Sequence, residues 1–248
     1  MKIEPKIFDE VKRVLVSLDD KYFVGDELNR SKLSEDLRNY DEFLLTELFQ
    51  TDFIKQHFIK EVAGQKLFQI ESNFVELNPE KVELFKGQEF NPKNQIKLLV
   101  NDKGGKAGRA TWFIAPRDVI KVRQELIDKY KVVVSSANAG GQKRDNQLTV
   151  LEPHTAFGRS RLALKSFDTE GEANNFYNYA RSKFIRFTFL LTDENLSSLA
   201  KLVPDLLDYT QNQKLINFTK DIDEQFIKLL DLTDEEVKRI EDRVDNLR

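Results

Sequence analysis

The chain contains no cysteine, and only two histidines, His57 and His154, in 248 residues. The first absence rules out disulfide scaffolds, thiolate zinc sites and cysteine nucleophiles. The second narrows the chemistry, since most hydrolase triads and histidine-rich metal centres need one or more histidines placed beside partners, and neither histidine has a second at metal-binding spacing. Carboxylate and lysine chemistry remain. Long apolar runs are missing too. Stretches such as Phe187 to Leu191 fall far short of the roughly 20 residues that cross a bilayer, so no membrane span is expected. Met1 to Pro5 lead straight into a charged amphipathic segment without the apolar stretch of a signal peptide, and a cytoplasmic location is the expectation. With 40% hydrophobic residues, the length suffices for one large domain or two small ones with a true core.

A formal net charge of -3 points to no polyanionic partner until the chain is divided. Residues 1–90 carry 13 Lys and Arg against 19 Asp and Glu, residues 91–165 carry 15 against 6, and residues 166–248 carry 11 against 17. A basic middle third flanked by acidic ends suits either a solvated face or a surface that meets phosphates.

Helical spacing dominates the start: Phe8, Val11, Val14, Leu15 and Leu18 form one stripe, Leu33, Leu37 and Tyr40 another after Ser31, and Asp41 to Phe58 a third run. From Lys66 to Leu77 the pattern turns strand-like, with Phe68, Ile70 and Phe74 on one parity. Asn78, Pro79 and the stretch Lys86 to Asn94 read as a linker. Beyond it, strands are expected at Ile96 to Val100, Ala110 to Ala115, Val132 to Ser136, Gln147 to Leu151 and Arg161 to Phe167, around one helix from Asp118 to Lys129. Helices are expected at Glu172 to Phe189, Glu194 to Leu202, Asp221 to Leu230 and Thr233 to Leu247. The last of these is marked by a capping box of Thr233 and Glu236. The fold class is therefore α+β: a helical N-terminal domain over residues 1–88, then a mixed-sheet domain with a helical C-terminal part over residues 89–248.

Most catalytic patterns fail. Gly104, Gly105, Lys106, Ala107, Gly108 and Arg109 supply glycines and charge, but no Lys-Ser or Lys-Thr pair follows, so nucleotide hydrolysis is not expected. The stretch is either a basic loop able to approach a phosphate or a simple turn before the Ala110 strand. Glu10-Val11-Lys12 and Glu236-Val237-Lys238 match a short nuclease pattern, yet both sit in helical text and read as surface charges on amphipathic helices. His57 reads as an ordinary helix residue and His154 as a loop residue able to touch a phosphate.

The most informative stretch is SSANAGGQKRDN, Ser135 to Asn146, polar and glycine-bearing between two strands. Arg and Lys pair with guanine, Asn and Gln with adenine, and a glycine hinge lets such a loop enter a groove. Gln142, Lys143, Arg144, Asn146 and Gln147 qualify by type, although a solvated hairpin loop has a similar composition. Trp112, Arg159, Ser160 and Arg161 lie in the same basic third.

These residues carry a resemblance. GRATWFIAPRDV, DKYKVVVSSANAGGQKRDNQ, FGRSRLALKSFDTEGEANNFYNYARSKFIRF and LTDEEVKRIEDRV, over residues 95–248, resemble the target-recognition region of adenine-specific DNA methyltransferases of restriction-modification systems, including type IIG enzymes. YFVGDELNRSKLSEDL and FIKEVAGQKLFQIESNF, over residues 8–76, resemble the N-terminal segment of type III modification subunits. In those enzymes a catalytic core lies between two such regions. It needs a Gly-rich S-adenosylmethionine segment and an Asp/Asn-Pro-Pro-Tyr/Phe motif for the flipped adenine. This sequence has no Pro-Pro pair: Asn78-Pro79 and Asn91-Pro92 are followed by Glu80 and Lys93.

The resemblance thus implies a chain that does not methylate DNA by itself and needs no cofactor. Its expected partners are double-stranded DNA and a methyltransferase or restriction subunit. It assigns target recognition to Ser135–Gln147, with Ser136 and Asn138 beside the residues above, and to Phe157–Lys165. Lys106 and Arg109 are expected to meet phosphates. Lys183 and Arg186, on the helix that follows, are phosphate contacts or salt-bridge partners, while Phe176, Phe184 and Phe187 belong to the core.

Overall fold

A computed structural model describes residues 67–101 apart from 72, 110–135, 148–189, and 205–245 apart from 207 and 212–214, together with short strands at 23–24, 27–28, 60–61 and 204. The helices expected before residue 60 and at Glu194 to Leu202 lie outside the described residues.

In chain order the strands are β1 (Phe23–Val24), β2 (Glu27–Leu28), β3 (Lys60–Glu61), β4 (Glu83–Leu84), β5 (Gln95–Asn101) and β6 (Ala110–Pro116). Then follow β7 (Tyr130–Ser135), β8 (Thr149–Leu151), β9 (Thr155–Phe157), β10 (Arg161–Phe167) and β11 (Pro204–Asp205). The helices are α1 (Phe74–Leu77), α2 (Glu170–Arg181), α3 (Lys183–Phe189), α4 (Ile222–Leu229) and α5 (Asp234–Asp245). The chain is α+β.

Two sheets and a helix layer stack on one another. The first sheet has the order β4-β6-β5-β9, with β5 antiparallel to β6 and parallel to β9; the second has the order β10-β7-β8 and is antiparallel throughout. Alternation in β5 sends Ile96, Leu98 and Val100 into a core shared with Val133, Leu151 and Ala163 of the second sheet. Val132, Val134 and Leu162 face the other way, into the helices. The second sheet is the middle layer, which explains why Val132, Val133 and Val134 form an unbroken apolar run: that strand is buried on both faces.

Leu67, Phe68 and Ile70 pack into the same two-sheet core, and Glu83 and Leu84 of β4 pair with Ile114 and Phe113 of β6. Apolar contacts and strand pairing therefore cross residue 88. Phe68 and Ile70 are buried as their parity suggests, but Gln69 between them has φ 49, and no ladder forms; Phe74 starts a short helix instead of continuing a strand.

The helix expected from Asp118 to Lys129 is instead two 3-10 turns, Arg117–Val119 and Gln124–Leu126. Arg123 between them is left-handed, φ 56, which breaks the helical hydrogen-bond run. Lys131, wholly buried on β7, then binds the carbonyls at the end of this segment: its Nζ donates to Leu126 O at 3.0 Å, Ile127 O at 3.0 Å and Lys129 O at 2.6 Å. Burial lowers the pKa of this amine to about 7.

The helix expected from Glu172 to Phe189 is two. Thr169 caps α2, its Oγ1 accepting from Glu172 N at 3.3 Å and donating to Glu172 Oε2 at 2.7 Å. Ser182 then leaves helical geometry, and its Oγ donates to Tyr179 O at 2.8 Å. The first amides of α3, Lys183 N and Phe184 N, donate to the Asp223 carboxylate at 3.0 Å each. Burial pushes the Asp223 carboxyl up, and these two amides pull it back.

At α5 the capping box forms as expected: Thr233 N donates to Glu236 Oε2 at 2.7 Å and Glu236 N to Thr233 Oγ1 at 3.3 Å. Glu236 is consequently buried and not the surface charge that its Glu-Val-Lys context suggests.

Phe176, Tyr179, Phe184, Phe187, Tyr209 and Phe226 fill the helix-layer core, with Phe184 and Phe226 centroids 4.7 Å apart and Phe176 and Tyr209 edge-on at 5.0 Å. Each buried ring contributes about 1.5–3 kcal/mol against about 1 kcal/mol for a cap, so the rings hold this layer and the caps only set where its helices begin.

Against the Tyr209 ring lies a part-buried ion pair: Lys165 Nζ donates to both Asp205 oxygens, at 2.8 and 2.7 Å, and Tyr209 Oη donates to Asp205 Oδ1 at 2.8 Å. β11, which carries Asp205, pairs antiparallel with β3.

Candidate nucleic-acid interface

The strand registers bring three loop roots to one end of the two sheets. β5 ends at Asn101 opposite Ala110, where β6 begins. β9 runs parallel to β5 with Phe157 beside Leu99, so it ends at that same edge. From Phe157 the chain reaches β10 at Arg161, a span of at most about 14 Å fully extended. Arg161 pairs with Ser135, the last residue of β7, and Thr149 of β8 pairs with Val133 two residues back. The segments 102–109 and 136–147 thus leave from, and return to, the end that carries the Gly158–Arg161 turn. The two segments lie outside the described residues, and with them Lys106, Arg109, Ser136, Asn138, Gln142, Lys143, Arg144, Asn146 and Gln147.

The turn itself is firmly seated. Gly158 N donates to Leu99 O at 2.9 Å, Arg159 N to Ile70 O at 3.2 Å, and Arg161 N to Gly158 O at 3.1 Å. Arg159 projects outward, its side chain 53% exposed, and its Nη1 donates to Glu71 Oε2 at 2.5 Å. Arg161 is half-buried, and desolvation lowers its guanidinium from its usual value without neutralising it. Ser160 Oγ is closed off from solvent and meets no hydrogen-bond partner among the described residues.

Trp112 lies near this end but within the first sheet, and Lys183 lies away from it. Trp112 sits on β6 opposite Leu99, half-buried against the two-sheet core, with the Lys97 ammonium 5.8 Å from its ring. Lys97 itself bridges to Glu152 at 3.0 Å. Lys183 belongs to the helix layer, where its Nζ donates to Glu241 Oε1 at 2.8 Å. That salt bridge is one of the two roles that the sequence left open for Lys183.

At the opposite end of β9 lies a cluster that sequence patterns missed. Arg117 grips Asp128 with both nitrogens, at 2.8 and 2.7 Å, and His154 Nδ1 is 2.8 Å from the same carboxylate. The Arg117 hydrogen bond, assisted by that of His154, holds the Asp128 carboxyl below its ordinary value. His154 takes a left-handed backbone, φ 62, so that its N–H reaches Ile127 O and its carbonyl receives Lys97 N–H. The cluster locks the entry to β9. Among the described residues no group of three or more His, Cys, Asp or Glu is placed to hold a metal ion, and no helix is long and apolar enough to cross a membrane.

One part of the chain has a family match. Residues 41–91 match the type III restriction/modification enzyme methylation subunit. The segment is related to restriction-modification methylation subunits, and the match overlaps the resemblance read over 8–76 and extends it to 91. No curated protein and no solved structure matches the chain. Ile70 and Glu71, which hold Arg159 by backbone and side chain, both lie in the matched segment.

Proposed function

We propose that this chain is a non-catalytic, sequence-specific DNA-binding module of a restriction-modification system. The observation that carries the reading is the meeting of three loop roots at one end of the two sheets. Between them these loops carry Lys103, Lys106, Arg109, Lys143, Arg144, Arg159 and Arg161 against Asp102 and Asp145. In this reading the cations dock on duplex phosphates, and the Gln142–Gln147 stretch reads base edges in the major groove. Phosphate contacts position the protein, and base contacts specify the sequence. The family match of residues 41–91 supports the restriction-modification setting. No methylation is expected of the chain alone, since no Asn/Asp-Pro-Pro motif is present.

Duplex binding titrated against salt tests this. With about six phosphates neutralised, log affinity falls with log salt at a slope of about -5. A flat salt response, or no duplex binding at low salt, removes the proposal.

A second reading is favoured by the matched segment itself, which exposes Leu77 at 68% and Leu84 at 43%. These side chains suit docking on a methyltransferase or restriction subunit. The double substitution Lys143→Ala with Arg144→Ala separates the two: it abolishes duplex binding in the first reading and leaves a subunit complex intact in the second.

A further inference from the structure

The Glu71–Arg159 pair joins the family-matched segment to the tip of the Gly158–Arg161 turn across 88 positions of sequence. Both partners are held by their backbones. Arg159 N is bonded to Ile70 O, the residue next to Glu71, and Glu71 O accepts from Phe74 N at the start of α1. Both side chains are nevertheless open to water, at 53% and 62%. An ion pair this exposed is weak and readily exchanged. A phosphodiester offers the guanidinium the same chemistry as a carboxylate, two anionic oxygens able to accept paired N–H bonds.

We propose that Glu71 is an internal competitor for DNA: its carboxylate occupies Arg159 in the free protein and is displaced by a backbone phosphate on binding. This rests on the DNA-binding reading above and goes beyond it, because it assigns an inhibitory role to a residue of the matched segment. Glu71 sets how tightly any duplex is held and does not choose among sequences, since a phosphate contact carries no base information.

Anisotropy of a labelled random duplex, with the full chain at low salt, tests the proposal. Glu71→Gln, which keeps the shape and removes the charge, is expected to bind about 2- to 5-fold tighter than the parent. The gain should shrink as salt rises. Arg159→Ala should bind more weakly than the parent, and adding Glu71→Gln to it should change nothing. Glu89→Gln, an exposed acidic residue of the same segment, controls for general charge. If the parent binds duplex and Glu71→Gln gains no more than Glu89→Gln, the competitor role is wrong while DNA binding stands. If Glu71→Gln still gains in the Arg159→Ala background, the competition does not run through Arg159 and the proposal is likewise overturned. If neither parent nor Glu71→Gln binds, both readings fall. Binding by Glu71→Gln where the parent shows none would support both.

Discussion

Gly158 lies so close to Val100 that a β-carbon on the glycine would sit 2.8 Å from Val100 Cγ1. Val100 is itself buried in the two-sheet core. The absence of a side chain at residue 158 is what lets the basic turn cross the end of β5, where Gly158 N bonds to Leu99 O.

Gly158→Ala is therefore expected to cost about 1–3 kcal/mol by overpacking, read as a lower denaturant midpoint. Because the turn must shift to relieve the contact, duplex affinity should fall as well, even though no charge has changed. A variant as stable as the parent would show that Val100 gives way.

Lys131 makes stability depend on pH. Its folded pKa is lowered to about 7 against an ordinary 10.5, so between those values the unfolded chain binds more protons than the folded one. Stability contributed by this group therefore rises with pH across that window, by at most about 1.4 kcal/mol per unit. It is lost again as pH falls toward 7. Lys131→Met should flatten the rise between pH 7 and 10 in urea unfolding series, whatever it does to absolute stability. An unchanged slope would mean that the three carbonyl acceptors keep the amine charged throughout.

Asp205→Asn should destabilise the fold by about 2–3 kcal/mol, because it leaves the ammonium of Lys165, of which only 24% of the side chain is exposed, without its carboxylate against Tyr209. Tyr209→Phe removes one hydrogen bond to the same carboxylate and should cost about 1 kcal/mol. Thermal or denaturant unfolding gives both numbers. Equal losses would show that the ion pair adds little beyond the tyrosine bond.

Much of the fold was legible along the chain. Alternation located β5 and β10, and the Thr233 and Glu236 spacing located the start of α5, because pleat and capping geometry are local. The 118–129 helix failed at Arg123, whose left-handed backbone separates two 3-10 turns, and the carbonyls after the break are met by Lys131, which is buried because β7 lies between two layers. Ser182 ended α2 for a non-local reason, since Asp223 of α4 waits to cap the next helix. At the candidate interface, residue types pointed to the Gly158–Arg161 turn, but nothing near Glu71 in sequence marks it as the partner of Arg159.

The sequence by itself determined the excluded chemistries, the segregation of positive charge into residues 91–165, and the alternation that builds the strands, all of which depend on residue type and near neighbours. Only the tertiary structure decided which carboxylate meets which cation, Glu71 with Arg159, Glu241 with Lys183, Asp205 with Lys165. Electrostatic energy falls with distance through space, and strand register and layer packing set that distance.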